Sequence, residues 1–314
     1  MSEQNLSIFN FKIFLIKILI PVCAILLILV LPVTFLLERK IILGANTTGA
    51  YKVNRIITEN HLNEIPIFGS SRAEGGYIPE ILGKNYFNYG LSGTGSDVML
   101  FFLKEECSKK DKKTPIILNF DLNGIKSGKG DVSNYLLNAN YPPLRNIFGE
   151  EYRFYYAIPI LKYYGKYEYY FKNYLNDKMH LTKYTNNGAV IEKNTITPQK
   201  FTELVHQRAA DTMTFSKVDS LAQAFKDIFS QNPQRNFVVV IAPYHKACFN
   251  HFPNISEAKA FLAEWDKMSH VKVFDFSQVN YPDSLFINTS HINYKGAAAF
   301  SKALKDSLTN ITQP

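Results

Sequence analysis

Apolar residues run unbroken by charge from Ile18 to Leu37, with Thr34 the one clearly polar position. A helix rises about 1.5 Å per residue, so about 20 such residues cross the hydrocarbon core of a bilayer. Pro21 and Pro32 lie within the run, and membrane helices tolerate proline because neighbouring groups re-satisfy the freed backbone. A cleaved signal peptide has a shorter apolar stretch, about 7–15 residues, ending at a small-x-small site. Here the run is longer and passes into Glu38-Arg39-Lys40-Ile41-Ile42. The pattern predicts a short tail over residues 1–12 and a retained single-pass membrane anchor over 13–42. Lys12 and Lys17 precede the run, and Arg39 and Lys40 follow it. Counting basic residues therefore does not orient it.

Beyond the anchor, residues 43–64 read as a short stem and a helix. A domain then spans 65–314. Five segments read as strands: Ile65 to Phe68, Lys84 to Tyr89, Pro115 to Phe120, Asn236 to Ala242 and His270 to Phe276. The second, third and fourth are continuous apolar or aromatic runs, not alternations, which suits a parallel sheet covered on both faces. Helical spacing fills the intervals. Val98, Phe101, Phe102 and Cys107 mark one helix over 97–108. Phe201, Leu204 and Val205, then Leu221, Ala224, Phe225 and Phe229, carry helical spacing across 201–231. Ser256 to Met268, with Ser256 as N-cap, and Lys295 to Leu308 complete the set. The expected fold is α/β, a three-layer α/β/α doubly wound parallel sheet.

Residues 134–200 break that alternation. They hold Tyr152, Tyr155, Tyr156, Tyr163, Tyr164, Tyr167, Tyr169, Tyr170 and Tyr174 and read as a helical insertion packed over the candidate site. Tyrosine faces stack on sugar rings and their hydroxyls hydrogen-bond. A sugar groove and plain helix packing both remain open.

Composition is that of an ordinary globular chain: 314 residues, 46 % hydrophobic and 20 % charged. Of three cysteines, Cys23 lies in the apolar run, leaving Cys107 and Cys248 as the one pair in the remainder. That excludes a disulfide scaffold. No Cys/His spacing suits zinc, and the turn from Gly90 to Gly95 matches no dinucleotide fingerprint. No cofactor is expected. The net charge of +8 is scattered, densest at Lys109, Lys110, Lys112 and Lys113, read as a solvated loop. It suits anionic polymers or lipid head groups at most. No nucleic-acid module is present.

Two distant segments carry the chemistry. Ile67-Phe68-Gly69-Ser70-Ser71-Arg72 is an apolar strand stopping at a glycine and a serine pair. Ser290-His291-Ile292-Asn293-Tyr294-Lys295-Gly296 sets a histidine on a loop before the last helix. A serine hydroxyl is a poor nucleophile until a base takes its proton. One sheet edge that gathers both segments would form a hydrolase site. Two further residues fall near that edge. Arg72 is read as an anion-binding group or a surface ion pair. His245 closes the fourth strand toward the same edge and is read as a substrate-binding or a structural residue.

The segments resemble the SGNH (GDSL-type) hydrolase family, and within it the membrane-anchored branch of teichoic-acid D-alanyl transfer and alginate acetylation proteins. Phe68-Gly69-Ser70-Ser71 is similar to the first block, which makes Ser71 the implied nucleophile. Asn88-Tyr89-Gly90-Leu91-Ser92-Gly93 is similar to the second, which gives Gly93 an oxyanion role. His291, followed by Asn293 and Gly296, is similar to the last, whose histidine is the general base. The resemblance covers residues 65–314 and implies a flavodoxin-like, SGNH-type fold. It also implies an extracytoplasmic domain and an acyl ester substrate on a cell-envelope polysaccharide. The implied partner is a multi-spanning membrane acyltransferase.

Two departures stand out. Asn288 occupies the place of the family's acid, three residues before His291, with Asp283 nearby on the same loop. Asn119-Phe120-Asp121-Leu122-Asn123 is irregular as a third block. It leaves Asn119 or Asn123 as the second oxyanion donor, with Asn123 preferred. Two functional readings follow: an O-acyl esterase or acyltransferase, or a degenerate non-catalytic module that binds glycan or scaffolds an envelope complex.

Overall fold

The computed structural model describes residues 11–149, 162–163, 165–179, 186–191, 195–208, 213–250 and 252–309. Its first element is one helix, α1 (Lys12–Ile42), long and apolar enough to cross a membrane. Ile28 and Val33 are among its most exposed apolar residues, and no residue of its most apolar window is buried.

The five expected strands form one parallel sheet. They are β1 (Ile65–Phe68), β2 (Tyr86–Asn88), β3 (Ile116–Asn119), β4 (Phe237–Ile241) and β5 (Val271–Asp275), in the order β2-β1-β3-β4-β5. Register pairs Ile67 with Asn88 on one side and with Ile117 on the other. Ile116 then pairs with Phe237, and Phe237 with Val271.

Alternate residues of each strand feed two separate cores. Phe68, Ile116, Leu118, Val239 and Ile241 pack on one face. They meet α2 (Gly49–Thr58), α5 (Ser96–Cys107), α9 (Asp219–Gln231) and α10 (Ile255–Asp266), through Val53, Phe102, Phe229 and Trp265. Ile65, Ile67, Ile117, Val238 and Val240 pack on the other face. There they meet α3 (Ser71–Gly76), α4 (Pro79–Leu82) and α11 (Tyr294–Leu308), through Tyr77, Leu82 and Phe300. Each buried Leu, Ile, Val or Phe contributes about 1.5–3 kcal/mol. Both faces being covered is why the strand sequences lack alternation.

The helix expected within 43–64 is α2, whose Val53 and Ile56 are buried in the first core. Three local expectations are revised. The 201–231 region divides into α8 (Pro198–Arg208) and α9. Before α9, Ser216–Lys217 pairs in parallel with Gly124–Ile125. α10 begins after Asn254, not at a Ser256 cap. Lys112 is no solvated lysine: it is buried, 2.8 Å from Glu106 Oε1, which Arg235 also contacts at 3.0 Å.

The insertion contributes α6 (Pro142–Phe148) and α7 (Tyr167–Lys178). Tyr163 and Tyr170 are buried with Ile42, Ala50 and Leu136, so these tyrosines pack the insertion against the end of α1 and the start of α2. Tyr152, Tyr155, Tyr156 and Tyr164 lie outside the described residues. Cys107 and Cys248 are unbridged.

Candidate active site

In the order β2-β1-β3, the chain leaves β1 toward one side of the sheet for β2 and returns to the other side for β3. Ligands of open α/β sheets bind at such a reversal, beyond the carboxyl ends of the strands. Ser71 follows β1 there, and Asp121 follows β3.

Gly69 makes the turn out of β1. A Cβ at this position would lie 2.7 Å from Ala73 Cβ and 2.8 Å from Asn119 Cβ, so only glycine lets α3 start this close to β3. Ser70 is the N-cap of α3 and donates its hydroxyl to Asp121 Oδ2 at 2.5 Å. Ser71 then opens the helix.

His291 arrives from the other end of the chain. Asn293 caps α11 by accepting from the Lys295 and Gly296 amides, and its Nδ2 donates to Ser284 O at 2.8 Å. Phe286 and Ile292 form a bridge across the loop. Asn288 Oδ1 accepts from the backbone N–H groups of Ser290 and His291, both at 2.9 Å.

Ser71 Oγ lies 2.9 Å from His291 Nε2. His291 Nδ1 lies 3.1 Å from Asn288 Oδ1, which the two amides identify as an acceptor. The proton therefore sits on Nδ1, and the Nε2 lone pair faces the serine. Ser290 Oγ stands 3.1 Å from both Nδ1 and Asn288 Oδ1. Ser71 and His291 open on a cavity of about 230 Å³ whose walls include Glu74, Ser92, Val190 and Ile191. Val190 and Ile191 belong to the insertion, so that segment does reach the site.

Gly93 and Asn123 do not line this cavity. They line a neighbouring one of about 160 Å³ with Ser70, Asp121 and Lys126. The two spaces share the Ser70–Ser71 and Ser92–Gly93 peptide units as a divide. The structure thus brings Ser71, His291 and Asn288 together, with the two implied oxyanion donors on the adjoining cavity.

Three other expectations are corrected. Arg72 is neither an exposed anion site nor a surface ion pair: it is buried, and Nη2 donates to Ala242 O at 2.7 Å and Pro243 O at 2.9 Å. Its guanidinium lies 3.3 Å above the Tyr244 ring. Burial lowers its pKa, opposed by Asp121, whose Oδ1 is 3.9 Å from Nε. His245 is not among the residues lining the cavity and takes the structural reading. Its Nδ1 accepts from Ala247 N and its Nε2 donates to Asp283 Oδ1 at 3.1 Å. Asp283 is therefore committed to His245 and does not replace Asn288. The backbone N–H of His245 donates to Thr289 O at 2.9 Å, so this residue braces the loop that carries His291.

Sequence reasoning missed three participants. Asp121 accepts from Ser70 and from Asn119 Nδ2 at 2.9 Å, and Tyr77 O–H donates to Asn119 Oδ1 at 2.9 Å. Its position just past a central strand was the available signal. Glu74 accepts from Ser92 N at 3.1 Å and from the Ser92 hydroxyl. Lys52, fully buried in α2, lies 3.0 Å from Glu74 Oε1 and donates to Gly90 O at 2.6 Å. Burial pushes the Lys52 pKa down, and Glu74 opposes the shift. No spacing rule links Lys52 to Glu74 and Gly90, which meet only in the folded chain.

No protein-family model matches the chain, and no curated protein matches it. Among solved structures, one described as "a putative platelet activating factor from Streptococcus pneumonia" aligns over 88 % of this chain and 98 % of its own, at 13 % identity and TM-score 0.43. A likeness this slight carries no assignment. Fold and site together define an α/β protein with a parallel sheet and a serine–histidine pair at its strand-order reversal.

Proposed function

We propose that the chain is a membrane-anchored, extracytoplasmic O-acyl esterase or acyltransferase of SGNH type, acting on a cell-envelope polysaccharide. The three-layer doubly wound arrangement and the resemblance of the three blocks support it. One observation carries it: the 2.9 Å contact between Ser71 Oγ and His291 Nε2, residues 220 positions apart.

The chemistry follows from that contact. Ser71 Oγ attacks the acyl carbonyl while His291 Nε2 takes its proton. The carbonyl oxygen becomes an oxyanion, for which Gly93 and Asn123 on the adjoining cavity are the implied donors. The bond to the leaving alkoxide breaks, and His291 returns the proton to that oxygen. The acyl-serine then passes to water, giving an esterase, or to a sugar hydroxyl, giving a transferase. His291 takes the acceptor's proton in either case. A multi-spanning membrane acyltransferase is the partner that would supply the acyl group in the second case.

The test is labelling of the detergent-solubilised full chain with a fluorophosphonate. Labelling is expected in the wild type, lost in Ser71→Ala and slowed but not lost in Ser70→Ala. A folded wild type that never labels overturns the active-serine reading. A second reading, a non-catalytic module that binds glycan, draws on the neutral Asn288 and on the Glu74 carboxylate seated against the Ser92 amide.

A further inference from the structure

We infer that α7 lies on the surface of the bilayer that α1 crosses, with Phe171, Leu175 and Met179 set among the lipid chains at head-group depth. The inference rests on α1 being a membrane span.

The placement comes from α1 itself. Phe35 and Leu36 are each 55 % exposed, whereas Ile42 is fully buried. Bare surface thus gives way to protein contact within about two helical turns. The element that covers those turns is the insertion. Lys162 Nζ lies 2.5 Å from Glu38 Oε1, and Tyr163 O–H donates to the same oxygen at 2.8 Å. Tyr170 of α7 packs with Ile42, and Leu37 and Ile41 lie against that cluster. A helix with its side chains is about 10–12 Å across. An element packed on residues 37–42 is therefore within one helix diameter of the last lipid-facing residue.

The outer side of α7 suits that position. Phe171, Leu175 and Met179 recur at four-residue spacing, which puts them along one face. They are 51 %, 38 % and 62 % exposed, whereas among the described residues the domain's other α-helices expose no large apolar side chain to that extent. Lys172 and Lys178 are exposed beside them. Lysine stems lie along apolar surface while the ammonium stays with water and phosphate, the arrangement of interfacial helices. The bilayer is preferred to a protein partner because the position of α1 already brings lipid to this face.

Phe171→Trp in the full chain, reconstituted in vesicles of phosphatidylcholine and phosphatidylglycerol, tests the placement. Quenching is read with lipids brominated either near the head group or near the chain end. The added emission is expected to be blue-shifted and strongly quenched by the shallow bromolipid, weakly by the deep one. Leu29→Trp serves as a separate report on α1 and is expected to be quenched by the deep bromolipid. Loss of that quenching would sink the membrane-span reading on which the inference depends. With Leu29→Trp quenched, an unquenched Phe171→Trp overturns the docking of α7. That holds if the emission is water-exposed or if it is shielded by protein.

Discussion

Asn288 Oδ1 accepts the Nδ1 proton of His291, the bond that a carboxylate makes in a serine triad. In a protease, replacing that carboxylate by an amide costs about 10⁴ in rate because it fixes the wrong tautomer. Here backbone amides hold the Asn288 oxygen toward the ring, so the tautomer is the productive one. What is missing is charge to stabilise the imidazolium. A hydrogen bond to a charged group exceeds a neutral one by about 1–1.5 kcal/mol, or about tenfold in rate. Asn288→Asp is expected to raise kcat/KM for a simple aryl acetate by about that factor. The carboxylate also favours the protonated ring, so the acidic limb of the pH profile should move to higher pH. A gain from zero to full activity would instead favour the non-catalytic reading of the wild type.

Asp121 acts one residue away from the reacting oxygen. It fixes Ser70, and Ser70 caps the helix that Ser71 opens. Asp121→Ala is expected to leave Ser71 present but poorly aimed. Misplacement by about 1 Å costs up to about 10²-fold. The loss should fall on kcat and on the fluorophosphonate labelling rate, with KM and the pH midpoint of labelling unchanged. Asp121→Asn keeps an acceptor for Ser70 and should recover part of the rate. A KM effect alone would place Asp121 in substrate binding instead.

The sheet was legible because burial on both faces makes strands uniformly apolar, as in Phe237–Ile241. Its strand ends were over-extended by one or two residues: Lys84 and Phe276 lie outside the strands, although Phe276 N–H still donates to Ile241 O at 2.9 Å. Ser71 and His291 were legible because each sits at the join of a strand or loop with a helix. Lys52, Glu74 and Asp121 were not. Their roles arise from three-dimensional pairings that no local pattern encodes. Arg72 was misread for the same reason: the carbonyls that hold it belong to Ala242 and Pro243, about 170 residues on. Lys112 shows the converse error, a lysine-rich stretch hiding one side chain that turns inward to Glu106.

The Lys52–Glu74 pair makes a stability prediction. Removing one partner of a buried pair costs about 3–5 kcal/mol because the other charge loses its counterion. Glu74 keeps the Ser92 donors and some solvent, so Lys52→Met should fall at the lower end, about 3 kcal/mol. Lys52→Met combined with Glu74→Gln should recover most of it. Denaturant midpoints of the domain report both. A Glu74→Gln variant as stable as the wild type would show that Gly90, not Glu74, is the main partner of Lys52.

Alkaline pH offers a last test, because several phenols are locked in. Tyr77, Tyr89, Tyr135, Tyr163 and Tyr170 are each at most 1 % exposed. Tyr77 donates to Asn119 Oδ1, Tyr89 to Glu64 Oε1 and Tyr170 to Ser133 O. Burial raises the pKa of all five, and the Glu64 carboxylate adds to the shift at Tyr89. A group whose folded pKa is raised gives stability that is complete below its unfolded pKa, about 10 for tyrosine. That stability is lost as pH climbs from there toward the folded value. In a spectrophotometric titration, exposed tyrosines should ionise first, near the ordinary range, with the circular dichroism unchanged. The buried set should ionise only together with a cooperative loss of structure at higher pH. Smooth ionisation of every tyrosine in a chain that keeps its native spectrum would contradict the packing of the insertion against α1 and α2.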